Sequence, residues 1–181
     1  MRATILGVIA MGMLGCSDSG LSTDLEGTYT IATWTENTTG CAAEGASILA
    51  QQSDTALYIE PDSFFGQDFI NAVRCTDVAD CMTKQADTTI FLGGWTFDAG
   101  SDSEGWTGGS VFAGVNGTMC EGEYTEHRLT GTAGAIKIES RTQMTAPFPQ
   151  DKDGFCDTDA AKAAAAGMPC IKLEVVTATG I

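Results

Sequence analysis

The stretch Ala135-Ile136-Lys137-Ile138-Glu139-Ser140-Arg141-Thr142-Gln143-Met144 decides the fold class. In an extended chain Ile136, Ile138 and Met144 fall on one face, and Lys137, Glu139, Arg141 and Gln143 on the other. That alternation is what a half-buried antiparallel strand requires. Ile171, Leu173 and Val175 alternate with Lys172 and Glu174 in the same way. Working outward, the same period of two predicts strands at 27–35, 47–52, 55–60, 68–74, 88–92, 95–98, 110–115 and 121–129. Gly131-Thr132-Ala133-Gly134 supplies a hairpin turn ahead of Ala135. Roughly eight to ten short strands between glycine-rich turns predict a mainly β domain, either an antiparallel barrel or a sandwich.

One segment breaks the period. Asp157-Thr158-Asp159-Ala160-Ala161-Lys162-Ala163-Ala164-Ala165-Ala166-Gly167 begins with an aspartate that can cap open amides, continues with alanines, and ends at glycine before Pro169. It predicts one short C-terminal helix ahead of the last strand. Its methyl side chains let it lie close against a sheet while adding little core volume.

Composition removes several function classes. The chain has 181 residues, enough for one domain, and 24 acidic against 9 basic side chains give a formal charge of −15. Such a field repels phosphate backbones, so nucleic acid is not an expected partner. His127 is the single histidine, which excludes a multi-histidine metal cage. There is no G-x-S-x-G elbow, no P-loop lysine and no dinucleotide glycine spacing, so the expectation is no enzyme and no cofactor.

The amino terminus reads MRATILGVIAMGMLGC, with Arg2, a charge-free run from Ala3 to Leu14, then Gly15 and Cys16. This is signal-peptide anatomy. As a helix the run would rise about 18 Å, well short of the roughly 20 residues that span a bilayer core. The ending Met13-Leu14-Gly15-Cys16 resembles the lipobox of bacterial lipoprotein precursors. That resemblance implies cleavage after residue 15 and diacylglycerol on the Cys16 thiol. It also implies a membrane partner through that lipid anchor and, with Ser17 next, sorting to the outer membrane. Residues 16–26 read as a polar, acidic tether, and 27–181 as a single domain.

Setting Cys16 aside leaves Cys41, Cys75, Cys81, Cys120, Cys156 and Cys170, an even number suited to three disulfides in an oxidising compartment. No C-x-x-C pair suggests zinc. Fifteen pairings are possible. Local closure favours Cys75 with Cys81, the helix between Cys156 and Cys170 favours joining its flanks, and elimination leaves Cys41 with Cys120.

The order of elements, from the opening strand Leu25-Glu26-Gly27-Thr28-Tyr29-Thr30-Ile31-Ala32 to a helix and one last strand, resembles that of lipocalin-type barrels. Tyr29 stands where that family carries the tryptophan of its Gly-x-Trp motif. The resemblance implies a small apolar ligand in a calyx, which Trp34, Trp95, Trp106, Phe64, Phe65, Phe91 and Phe97 would line unless they fill the core.

Three acidic constellations could carry chemistry. Glu121, Glu123 and His127 share one strand face opposite Tyr124, and could bind a cation or supply acid and base; the expectation is a solvated face with Tyr124 inward. Asp151, Asp153 and Asp157 around Gly154 resemble part of a calcium loop, but that alignment places Pro149 and Ala160 at its two essential ligand positions. Asp98, Asp102 and Glu104 before Gly105 lack the first ligand in the same way, since Gly100 stands there. Both read as turns, and no metal is expected. The functional expectation is a membrane-anchored, non-enzymatic binding or interaction module whose partner is an envelope protein or a small apolar ligand. The alternatives are a lipocalin-like carrier and a carboxylate-dependent hydrolase or carbohydrate-active enzyme.

Overall fold

A computed structural model describes residues 23–64, 67–86 and 94–181. Cys16, Phe65, Phe91 and the strand expected at 88–92 lie outside them. The described elements are β1 (Gly27–Asn37), β2 (Ala46–Ser47), β3 (Ala56–Phe64), β4 (Gln67–Cys75), α1 (Val78–Ala86), β5 (Gly94–Phe97) and β6 (Ala99–Ser101). They continue with β7 (Gly105–Asn116), β8 (Met119–Thr132), β9 (Ala135–Met144), β10 (Phe148–Pro149), α2 (Thr158–Ala165) and β11 (Cys170–Gly180).

One antiparallel sheet runs in the order β5-β4-β3-β1-β11-β9-β8-β7-β6, with β10 added to β8 and β2 to β1. It curls into a nearly closed barrel. The ends meet because β5 leads straight into β6, which pairs β7, and the Asp98 amide donates to the Thr107 carbonyl at 2.9 Å. Gly108 makes that approach possible: a Cβ there would collide with the Thr96 backbone.

The strand expected at 47–52 is instead the two-residue β2 followed by a 3-10 turn, Leu49–Gln51. The domain also begins before Gly27. Leu25 is only 1% exposed and joins the core, and Tyr29 donates its hydroxyl proton to the Leu25 carbonyl at 2.7 Å. Asp102, in the turn between β6 and β7, accepts from the Thr23 hydroxyl and the Trp106 indole, each at 2.6 Å, and from the Asp24 amide. Burial opposes its charge, yet these donors hold the Asp102 carboxyl below the usual aspartate range. A residue expected in an open acidic turn therefore latches the amino-terminal end to the barrel.

The helix expected near the carboxyl end is present as α2, capped by the Asp157 carboxylate accepting from the Ala160 amide at 3.0 Å. A second helix, α1, was not anticipated. Asp77 accepts from the Asp80 amide at 2.8 Å, and Asp80 reaches back to accept from the Thr76 amide at 2.9 Å, two side-chain contacts that start the helix inside the Cys75–Cys81 loop.

The bridges are Cys75–Cys81, Cys41–Cys170 and Cys120–Cys156, with Cα separations of 5.2, 5.7 and 5.8 Å, within bridging distance. Only the first matches the expected set. Sheet register decides the other two. Asn37 pairs Leu173, so the loop leaving β1 carries Cys41 to the start of β11. Phe148 pairs Cys120, so the chain leaving β10 carries Cys156 to the start of β8.

Candidate functional site at the polar end of the barrel

Residues paired across antiparallel strands project to the same side, so register alone builds the interior in layers. From β11 through β9 and β8 to β7, one layer is Val176, Ile138, Leu129 and Trp106. The next is Glu174, Ser140, His127 and Gly108, and above it Lys172, Thr142, Thr125 and Ser110. Met144, Glu123 and Phe112 form the rim. The interior thus changes from hydrocarbon to polar within one residue pair.

The apolar half is filled by its own side chains, among them Leu25, Tyr29, Leu57, Ile59, Ile70 and Phe97, all buried. Trp34, Trp95 and Trp106 are buried there too, so these aromatics pack as core. Trp34 and Trp95, with ring centroids 5.9 Å apart, mark the boundary. Each sends its indole proton upward, Trp34 to Glu174 Oε1 at 2.9 Å and Trp95 to Ser140 Oγ at 3.1 Å.

The polar layers hold two kinds of contact. Lys172 Nζ lies 3.0 Å from Glu36 and 3.5 Å from Glu174. Burial opposes its charge, but these carboxylates raise the Lys172 pKa above the ordinary lysine value. Arg74, one pair above Ala72 on β4, sits 5.8 Å over the Trp95 ring and 3.7 Å from Asp54. Its Nε is covered yet has no hydrogen-bond partner among the described residues.

The second kind is a chain of hydrogen bonds with a definite direction. The Trp95 indole can only donate, so Ser140 Oγ is an acceptor. Ser140 is 3% exposed and must spend its own proton on a protein acceptor. His127 Nδ1, at 2.9 Å, is that acceptor. The imidazole proton therefore sits on Nε2 and is donated to Ser110 Oγ at 3.2 Å. Ser110 is exposed, and its hydroxyl proton is then free for a partner outside the protein. Burial pushes the His127 pKa down to about 4, consistent with a neutral ring that has both nitrogens committed.

No known family, curated protein or solved structure matches this chain.

His127 and Glu123 thus share a face, as the alternation predicts, but that face looks into the barrel, with Glu121 exposed beyond its end. Tyr124 is buried on the outer face, beneath α2 and β10, with Cys120, Phe148, Ala161 and Ala165. The expected assignment of faces is reversed because both faces of β8 are covered. Gly109, opposite Glu126, leaves room for the Tyr124 ring, which a Cβ there would strike.

Of the two turns, Asp151 accepts from the Asp153 and Phe155 amides at 2.9 and 2.8 Å, and Lys152 pairs with Asp153 at 2.6 Å, so these carboxylates organise the turn itself. Among the described residues no three histidine, cysteine, aspartate or glutamate side chains cluster as metal ligands.

Ser110, Ser140, Arg74, Lys172 and Glu174 were not singled out from sequence as site residues. One signal was available: Ser140 and Thr142 continue the Ile136–Ile138 face, which the periodicity assigns inward whatever their polarity.

Proposed function

We propose that the chain is an exported lipoprotein of the bacterial cell envelope, held on the outer membrane by lipid on Cys16, with the barrel as a non-enzymatic binding module. One observation carries the reading. All six cysteines of the domain pair among themselves, leaving Cys16, in Met13-Leu14-Gly15-Cys16, as the odd thiol. Three bridges suit an oxidising compartment, and a thiol outside that set suits acylation. Two or three acyl chains, at about 0.8 kcal/mol per buried methylene, hold a domain of this size on a membrane.

The direction of the hydrogen bonds supports a binding role over a catalytic one. With its proton on Nε2, His127 is a donor toward Ser110 and not a base for it. Of the two binding readings, the polar end is the better supported surface, because the apolar half that a lipocalin-like ligand would occupy is filled by the protein's own side chains.

Intact-mass analysis of the native protein, with and without reduction, tests the proposal. The expected product starts at Cys16, carries acyl mass and gains six hydrogens on reduction. An unacylated chain beginning at Met1, with no mass change on reduction, would overturn it.

A further inference from the structure

We propose that the rim of the polar end, formed by Ser110, Phe112 and Glu123, binds a neutral carbohydrate, with Phe112 as the stacking platform. This rests on reading the barrel as a binding module and names the class of ligand that its polar rim takes.

The first observation is Phe112 itself. It is 84% exposed in the middle of a long strand, an unusual place for an uncovered phenyl ring. Alternation puts Ser110 and Gly114 on its side of β7, one small and one without a side chain. A Cβ at Gly114 would meet nothing within 4 Å. The ring is therefore uncovered along its own strand. Its cross-strand neighbour is Glu123, whose other neighbour is Met144, itself 41% exposed.

The second observation is the chemistry beside the ring. The chain from Trp95 through Ser140 and His127 fixes Ser110 as an acceptor on its inner side and leaves its own proton for an outside acceptor. Hydrogen bonds aligned head to tail polarise one another, which strengthens that last donor. Glu123, two residues from Thr125 on the same side of β8, offers the opposite, a carboxylate that only accepts. The Thr125 and Thr142 hydroxyls, 3.0 Å apart, lie between them and the ion pair of Lys172.

A ligand that satisfies both ends must donate and accept over a short distance. Anions are repelled by Glu123 and by the charge of −15. Cations would suit Phe112 and Glu123, but they offer the Ser110 proton no acceptor. Vicinal hydroxyls on a ring with an apolar face meet all three requirements. Glu123 accepts from one hydroxyl, Ser110 donates to another, and Phe112 covers the C–H face of the sugar.

The test uses the mature protein and neutral trisaccharides of glucose, mannose, galactose and N-acetylglucosamine at millimolar concentration, with choline and a medium-chain fatty acid as competing classes. Binding is read from the ring resonances of His127, the sole histidine, and by calorimetry. The expected result is saturable binding of at least one trisaccharide, weakened about tenfold or more by Phe112→Ala and by Ser110→Ala. Phe155→Ala, at another exposed phenylalanine, should leave it unchanged. Matching unfolding curves would show that the variants fold. No trisaccharide binding, or binding indifferent to both rim substitutions, overturns the proposal. Binding of choline or fatty acid alone overturns the carbohydrate class while sparing the binding-module reading. The lipid anchor is decided separately by the mass measurement.

Discussion

His127 offers a clean probe of the polar layer, because one residue accounts for all the imidazole titration of the chain. Its pKa in the fold is about 4, against 6.5 for an ordinary histidine, and the cause is burial. The unfolded chain therefore binds a proton over a range where the folded chain does not. Stability is lost as pH falls from about 6.5 toward about 4, and the loss levels off below the folded value. A difference of roughly 2.5 units corresponds to about 3 kcal/mol. Acidic groups also titrate as pH falls, so wild type alone does not isolate the term. Glu174, on the same layer two strands away, and Glu123, on the rim, are the nearest carboxylates on that face. His127→Gln removes the titration while keeping a side chain that donates and accepts. Urea unfolding of both proteins between about pH 7.5 and about pH 4 should show the wild type losing about 3 kcal/mol relative to the variant, with equal m-values. The His127 ring protons should titrate near 4 by NMR. A stability difference that does not change with pH, or a ring titrating near 6.5, would refute the relay as drawn, since a charged imidazole donates from both nitrogens and leaves the Ser140 proton without its acceptor.

Two further outcomes follow from the latch and the bridges. Asp102→Ala removes the acceptor for Thr23, Asp24 and the buried Trp106 indole, and the loss should be about 2–3 kcal/mol in urea unfolding, given charge-assisted bonds that are partly solvated. Because the Asp102 pKa is lowered in the fold, this contribution is full above the ordinary aspartate value and fades as pH falls through the depressed one, so the gap between wild type and variant should narrow in strong acid. Replacing Cys41 and Cys170 with serine opens a link across 129 residues and should cost about 5 kcal/mol on loop entropy, whereas the Cys75 and Cys81 pair, 6 apart, should cost about 2 kcal/mol. Equal losses in calorimetry would show that loop closure is not what these bridges contribute.

The strands around Ile136 were legible because alternation is a local property and survives without a partner. What alternation does not say is which face is inside. On β9 the inward face runs Ile136, Ile138, Ser140, Thr142, and polarity alone would have ended it at Ile138. On β8 the alternation points Tyr124 inward because it is apolar, whereas the ring is buried on the outside, under α2. The caps of α2 were read correctly from Asp157 and Gly167. Asp77 and Asp80 carry an equivalent signal between Cys75 and Cys81, where a short bridge and a first helical turn occupy the same residues without conflict. The disulfide map was illegible for a deeper reason: it follows from Asn37 meeting Leu173 and Cys120 meeting Phe148, register facts that link distant parts of the chain.

The layered interior also shows why a site belongs at one end and not the other. Hydrocarbon layers bounded by Leu25 and Trp106 bury apolar area and need no directional contacts, so they stabilise the barrel without selecting a ligand. A layer holding Glu174, Ser140 and His127 in the same barrel is a cost that every folded copy carries, because each polar group had to leave water. The protein offsets that cost by spending its indole protons on it: Trp34 on Glu174 and Trp95 on Ser140. Had the layer served stability alone, valine at position 140 and leucine at position 127 would remove the desolvation and continue the packing of Ile138 and Leu129. The double replacement Ser140→Val with His127→Leu removes that desolvation but leaves the buried Trp95 indole without its acceptor, at about 1–3 kcal/mol, and is therefore expected to fold with stability close to wild type at neutral pH. It would free the Ser110 hydroxyl from the chain of hydrogen bonds that orients it, and so weaken the affinity of the rim for its ligand by no more than Ser110→Ala does.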